Sequence, residues 1–114
     1  MIVEGRGETM YIVVKWVCPH HLAEEFAKRV VEGMKEYPDD ETIVRPMIDG
    51  AMTVKKDGFH VTGIAEIVNG KTKEIFDLVN KRNLFIIHGL EGIKYSVETA
   101  YSRDEALETF GLQI

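Results

Sequence analysis

The 114-residue sequence has one cysteine, three prolines and no long apolar run. A single cysteine cannot form an intramolecular disulfide, so Cys18 predicts folding in a reducing, cytoplasmic setting. No apolar stretch approaches the roughly 20 residues that a membrane-spanning helix needs. Charged side chains and glycines interrupt the first ten residues, which therefore lack the apolar segment of a signal peptide. These absences predict a protein with no membrane partner.

Positive charge is also scarce. Fourteen Lys and Arg residues stand against nineteen Asp and Glu residues, and the formal net charge is −5 at pH 7. Nucleic-acid binding depends mostly on clustered Lys and Arg side chains that neutralise phosphates. Because the basic runs here, such as 55–56 and 81–82, are short, we expect no nucleic-acid partner.

The residues that are present suffice for one globular core. The sequence is 45% hydrophobic and 29% charged, values typical of folded domains. A chain of this length can build a core without disulfides or metals. We predict a single domain over 1–114, with 1–8 as a loose N-terminal arm. Neither glycine-rich phosphate-binding motif occurs in the sequence, and no cofactor is predicted.

The first half of the chain changes hydrophobic period twice. Residues 9–18 alternate and are rich in β-branched and aromatic types, which predicts a strand whose even-numbered residues share an apolar face. Apolar residues then recur every four positions over 20–37, which predicts an amphipathic helix. Residues 42–68 predict a hairpin about Asp57-Gly58 in which Lys56 pairs with Phe59. Pro46 indicates that the first hairpin strand lies at an edge or contains a bulge.

The second half repeats the change of period. Residues 71–82 predict a helix with Asn83 as its C-cap, and the apolar segment 84–87 is interpreted as a strand fragment or a buried loop. Alternation over 93–101 predicts a last strand. Ser102 and Glu105 form a capping-box pattern, which predicts a short helix at 103–110.

This order, β-α-β-β-α-β with a short C-terminal helix, predicts an α+β, ferredoxin-like fold. Over residues 9–101, the element order resembles the dimeric α/β-barrel superfamily, which includes antibiotic-biosynthesis-monooxygenase-like and muconolactone-isomerase-like proteins. The resemblance implies a homodimer in which two sheets close face to face into a barrel. It rests on element order, so no functional residue follows from it.

The string from Cys18 to His21 is the most unusual local pattern. A thiol at the start of a helix can have a lowered pKa, and Cys and His are ligands for zinc and soft metals. Cys18 is therefore a candidate reactive thiol, and Cys18, His20 and His21 are candidate metal ligands. The alternative is structural: Cys18 continues the apolar face of the first strand, and no second pair of ligands is evident.

His60 and Lys15 are the candidate catalytic residues. Both are predicted on the mixed sheet face, where His60 could act as a base near neutral pH and Lys15 could bind an anion. The alternatives are that His60 is exposed beside the hairpin turn and that Lys15 forms a salt bridge with Glu66 or Glu98.

Three functional hypotheses follow. We favour a homodimeric small-molecule-binding or assembly module. The first alternative is a cofactor-independent monooxygenase or isomerase-like enzyme that uses His60 and Lys15. The second is a metal-binding protein that uses Cys18, His20 and His21.

Overall fold

The computed structural model describes residues 9–113, and the predicted arm at 1–8 lies outside the described residues. A short 3₁₀ turn, His20–Leu22, separates the first strand from the first helix. The strands and helices follow the predicted order: β1 Met10–Cys18, α1 Ala23–Glu36, β2 Val44–Lys55, β3 Gly58–Ile67, α2 Thr72–Ile87, β4 Lys94–Tyr101 and α3 Arg103–Thr109.

The four strands form one antiparallel sheet in the order β2-β3-β1-β4. The two central strands are the first and third along the chain, and α1 and α2 pack on the same face of β1. This is the split βαβ topology, and it confirms the predicted α+β, ferredoxin-like fold. Within residues 9–113, no helix combines the length and apolar character needed to cross a membrane.

The core lies between the sheet and the two long helices. Even-numbered residues of β1 face the helices, and Ile12, Trp16 and Cys18 are buried there. The Trp16 ring centroid lies 5.2 Å from that of Phe26 on α1 and 4.9 Å from that of Tyr95 on β4. The predicted division of β1 into a covered and an open face is confirmed.

The hairpin register differs from the predicted one by two residues. Lys55 pairs with Gly58 and Val54 pairs with Phe59, so the turn residues are Lys56 and Asp57. Gly58 belongs to β3 with φ of 139°, and a Cβ atom there would collide with the carbonyl group of Cys18. Because glycine has no Cβ atom, it allows β3 to lie close to the end of β1 at this position. A shift by two residues keeps every side chain on its predicted face, because the strand period is two.

α2 extends beyond its predicted end. The segment 84–87 is helical and not a strand or loop, and α2 ends only at Ile87. Asn83 is thus an internal helical residue and not a C-cap. Burial explains the extension, because Val79, Asn83 and Ile86 continue one buried stripe at spacings of four and three residues.

Two predicted details are confirmed. β2 is an edge strand, and its pairing with β3 shifts on both sides of Ile48, as expected of a strand that contains Pro46. Ser102 caps α3 by accepting a hydrogen bond of 3.2 Å from the backbone N–H of Glu105.

Candidate functional site

A cavity of about 650 Å³ lies between the covered face of the sheet and the two long helices. Small-molecule sites commonly have volumes of roughly 300–1,000 Å³ and mainly apolar walls. The described wall is mostly aliphatic and aromatic, and residues of three strands and both long helices contribute to it. Its volume and lining match those of a site for a mainly apolar small molecule.

Small side chains on facing elements explain why the core leaves this space. Ala23 and Ala27 line the cavity from α1, and Gly63 and Ala65 line it from β3. Interiors normally reach close packing by filling such positions with larger side chains. Here the sheet and α1 both present short side chains, so neither fills the gap.

The bulged part of β2 forms the mouth of the cavity. Ile48 and Met52 line the cavity, yet they are 45% and 61% exposed. The pairing of β2 with β3 is irregular between Pro46 and Ala51, and bulges bend an edge strand and alter the direction of its side chains. The apolar wall is therefore open to solvent along the β2 edge.

An ion pair sits at the wall between α2 and the segment that follows α1. Arg82 Nη1 donates to Asp39 Oδ1 at 2.8 Å and to the carbonyl oxygen of Tyr37 at 3.0 Å. The Arg82 side chain is 13% exposed, and both charged residues line the cavity. The guanidinium charge is thus already compensated by a protein carboxylate.

Asn83 places an unsatisfied amide at the same wall. The residue is 3% exposed and lines the cavity. Among residues 9–113, its Nδ2 atom has no hydrogen-bond partner. Buried polar atoms without a partner are rare in native proteins, and such atoms often belong to functional sites. The sequence did not indicate that Asn83 belongs to the wall of this cavity, because its position predicts a helix C-cap.

The candidate catalytic residues lie on the open face of the sheet, opposite the cavity. Lys15 is exposed, and its Nζ atom is 3.9 Å from Glu98 Oε1. His60 Nε2 is 2.7 Å from Asp57 Oδ1, and this hydrogen bond lowers the pKa of Asp57. Glu66 instead lies 3.9 Å from Arg45. Each candidate thus has its own partner, and their catalytic role stays a prediction.

The candidate metal ligands also contact protein groups. Cys18 is fully buried, its Sγ donates to the carbonyl of Pro19 at 3.4 Å, and burial raises its pKa. His20 Nε2 bonds to the carbonyl of Lys55 at 2.9 Å, whereas His21 is exposed. Within residues 9–113, no three His, Cys, Asp or Glu side chains form a group suited to a metal. The metal-binding hypothesis has no support from this geometry and stays a prediction.

Comparisons with known proteins bear on the fold. No family model and no curated protein matches the chain. The de novo designed protein Foldit4 is 15% identical, with a TM-score of 0.57 over 84% of this chain and 100% of that one. A dimeric ferredoxin-like protein from an uncultured marine organism is 8% identical, with a TM-score of 0.46 over 85% and 92% of the two chains. The designed protein LFR1 1 with ferredoxin fold is 18% identical, with a TM-score of 0.47 over 83% and 87%.

At 15% identity, the TM-score of 0.57 with Foldit4 indicates a shared fold and nothing further. The chain is a small ferredoxin-like α+β protein, and its candidate site is the cavity between its two layers. The function of that cavity has to be argued from its own residues.

Proposed function

We propose that this protein binds a small, mainly apolar molecule in the cavity between the sheet and the helices. The observation that carries the proposal is the mainly apolar space of about 650 Å³ between the sheet and the helices. A mainly apolar pocket of this size is the usual form of a ligand site.

The lining favours binding over catalysis. Among the described lining residues, the ionisable side chains are Asp39, Asp49 and Arg82, and the first and last form an ion pair. His60 and Lys15 do not line the cavity. The enzyme alternative therefore stays a prediction without a supporting arrangement of acid, base and nucleophile.

Filling the cavity tests the proposal. N-phenyl-1-naphthylamine, a neutral apolar probe that fluoresces in dry pockets, is expected to bind the wild-type protein saturably at one site per chain. Ala65 projects into the cavity from β3, so Ala65→Phe is expected to weaken probe binding at least about tenfold by occupying the space. Fluorescence titration measures this effect.

Ala106→Phe is the matched control, because Ala106 is exposed on α3 and the same substitution there leaves the cavity open. Thermal unfolding verifies that both variants are folded. Absence of saturable binding to the wild-type protein, or equal binding by the two variants, contradicts the proposed function.

We also propose that the protein is a cytoplasmic homodimer that pairs through the open face of the sheet. Val13, Val17 and Ile64 are half-buried on that face, between the Lys15–Glu98 ion pair and other charged side chains. Both long helices pack on the opposite face, so a second copy could cover this one symmetrically. The single buried cysteine supports a reducing compartment.

Val13→Arg is expected to convert this dimer to monomer at micromolar concentration. Val13 lies at the centre of the open face, between Ile64 of β3 and Glu98 of β4, and a guanidinium covered there by a second copy would lose its hydration. Light scattering should give twice the chain mass of 13.0 kDa for the wild type and the single mass for the variant. Val31→Arg on the exposed side of α1 is the control. A monomeric wild type refutes the dimer.

A further inference from the structure

We propose that a groove between α1 and α2 binds a small aromatic anion, such as an aryl carboxylate or an aryl phosphate. The groove has a volume of about 530 Å³, and its described lining shares no residue with the cavity between the sheet and the helices. It is therefore a second, separate site, and the inference does not depend on the proposed function.

One stripe of α2 gives the groove an apolar surface with a polar group at each end. Lys81, Leu84, Phe85 and His88 line the groove, and residues three, four and seven positions apart lie on one side of a helix. Leu84 is 58% exposed, so its apolar surface is open to a ligand. Lys81 and His88 carry N–H donors at the two ends of this surface.

An aromatic pair joins the two helices beside that stripe. Tyr37 directly follows α1, and its ring meets that of Phe85 edge to face, with centroids 6.0 Å apart and an interplanar angle of 73°. Both residues line the groove. Aromatic rings favour edge-to-face and offset contacts with further rings, beyond the gain from buried area. A planar aromatic ligand therefore has suitable partners on both sides of the groove.

Arg29 fixes the end of the groove at His88. Its Nη1 atom donates to the carbonyl oxygen of His88 at 2.6 Å and lies 3.4 Å from those of Phe85 and Ile86, while its Nε atom lies 3.5 Å from Glu25. These carbonyls belong to the C-terminal end of α2, whose partial negative charge a cation compensates. The charge of Arg29 is thus used within the protein.

Lys81 supplies the positive charge at the opposite end. Its neighbour one turn earlier, Asp77, is engaged by Lys73, whose Nζ atom lies 2.6 Å from Asp77 Oδ2. Lys81 is exposed, and it forms none of the ion pairs found within residues 9–113. An anion therefore pairs with Lys81 rather than at the end near His88, where the helix carbonyls would repel it.

The charge of the groove contrasts with that of the whole protein. The chain has a formal net charge of −5, whereas the described lining of the groove contains Arg29 and Lys81 against one carboxylate, that of Glu32. A local excess of positive charge attracts anions and disfavours cations. The groove is thus expected to select anionic over cationic aromatic molecules.

Two naphthalene compounds of similar shape and opposite charge test the inference, 2-naphthoate and 2-naphthylmethylammonium. Heteronuclear NMR titration of the backbone amides gives both the affinity and the location of binding. 2-Naphthoate is expected to shift the amides of Leu84, Phe85 and His88 saturably. It should bind there at least about tenfold more tightly than the cation, because the cation is repelled by Lys81.

Lys81→Glu is expected to weaken 2-naphthoate binding at least about tenfold and to reverse the preference between the two compounds. The matched control is Lys56→Glu, because Lys56 is exposed in the β2-β3 turn and the substitution changes the net charge equally; this variant should keep the wild-type preference. Thermal unfolding verifies that both variants are folded. If Lys81→Glu does not fold, Lys81→Gln must show the loss of 2-naphthoate affinity instead.

Four results would overturn the inference: no binding of 2-naphthoate to the wild type, equal affinities for the two compounds, an anion preference that survives the loss of the Lys81 charge, or shifts confined to cavity residues such as Gly63 and Ala65. None of them removes the proposed function, because the neutral probe and Ala65→Phe test that function separately.

Discussion

Replacing Trp16 by alanine is expected to lower the free energy of unfolding by about 3–5 kcal/mol. Trp16 is 8% exposed and connects β1 to α1 and to β4 through its ring contacts with Phe26 and Tyr95. Removal of the indole would eliminate both contacts and enlarge a space that is already incompletely filled. The neighbouring side chain of Ala23, which lines the same cavity, is too small to fill that space.

Urea unfolding followed by far-ultraviolet circular dichroism measures this effect, since the variant has no tryptophan fluorescence. Tyr101→Ala is the matched control: Tyr101 is also on a strand, but it is 62% exposed, and surface truncations usually change stability by less than about 0.5 kcal/mol. Equal losses in the two variants would contradict the burial of Trp16 in the core.

Patterns with a short period made the sheet predictable from the sequence. Alternation in β1 assigns Trp16 and Lys15 to opposite faces, and the structure agrees: the first is buried and the second is exposed. The face on which a strand residue lies depends only on whether its position along the strand is odd or even. For the same reason, an error of two residues in the hairpin register left the faces correct.

The pairing register of the β2-β3 hairpin could not be predicted from the local sequence. Asp57-Gly58 is a favourable turn pair, yet Gly58 is needed where β3 passes the carbonyl group of Cys18. That requirement arises between segments 40 residues apart in the chain. A local turn signal cannot show that the glycine is needed elsewhere, and here the tertiary contact determines the position of the turn.

The candidate site could not be predicted from the sequence, again because it depends on contacts between distant segments. An asparagine after an apolar helical stripe is a common helix end, so Asn83 was interpreted as a cap. The stripe continues to Ile86, and a polar residue within a continuing apolar stripe was the available signal. The cavity itself depends on short side chains meeting across layers, such as Ala27 and Gly63, and sequence periodicity does not report which residues face each other between elements.

In the absence of ligand, Asn83→Leu is expected to raise the free energy of unfolding by about 1–3 kcal/mol, the usual cost of an unsatisfied buried polar group. Leucine has the same number of side-chain heavy atoms and the same branching, suits a helix interior, and would extend the buried stripe between Val79 and Ile86. Most core substitutions destabilise, so a gain of this size would be diagnostic. It would show that the amide has no compensating partner in the folded protein.

The effect is measured as the shift in the urea midpoint of unfolding between wild type and variant, at equal protein concentration and with an unchanged slope. Asn80→Leu, on the exposed side of α2, should change stability by less than about 0.5 kcal/mol. A loss of stability in Asn83→Leu would contradict the prediction and would mean that the amide makes a stabilising contact in the folded protein.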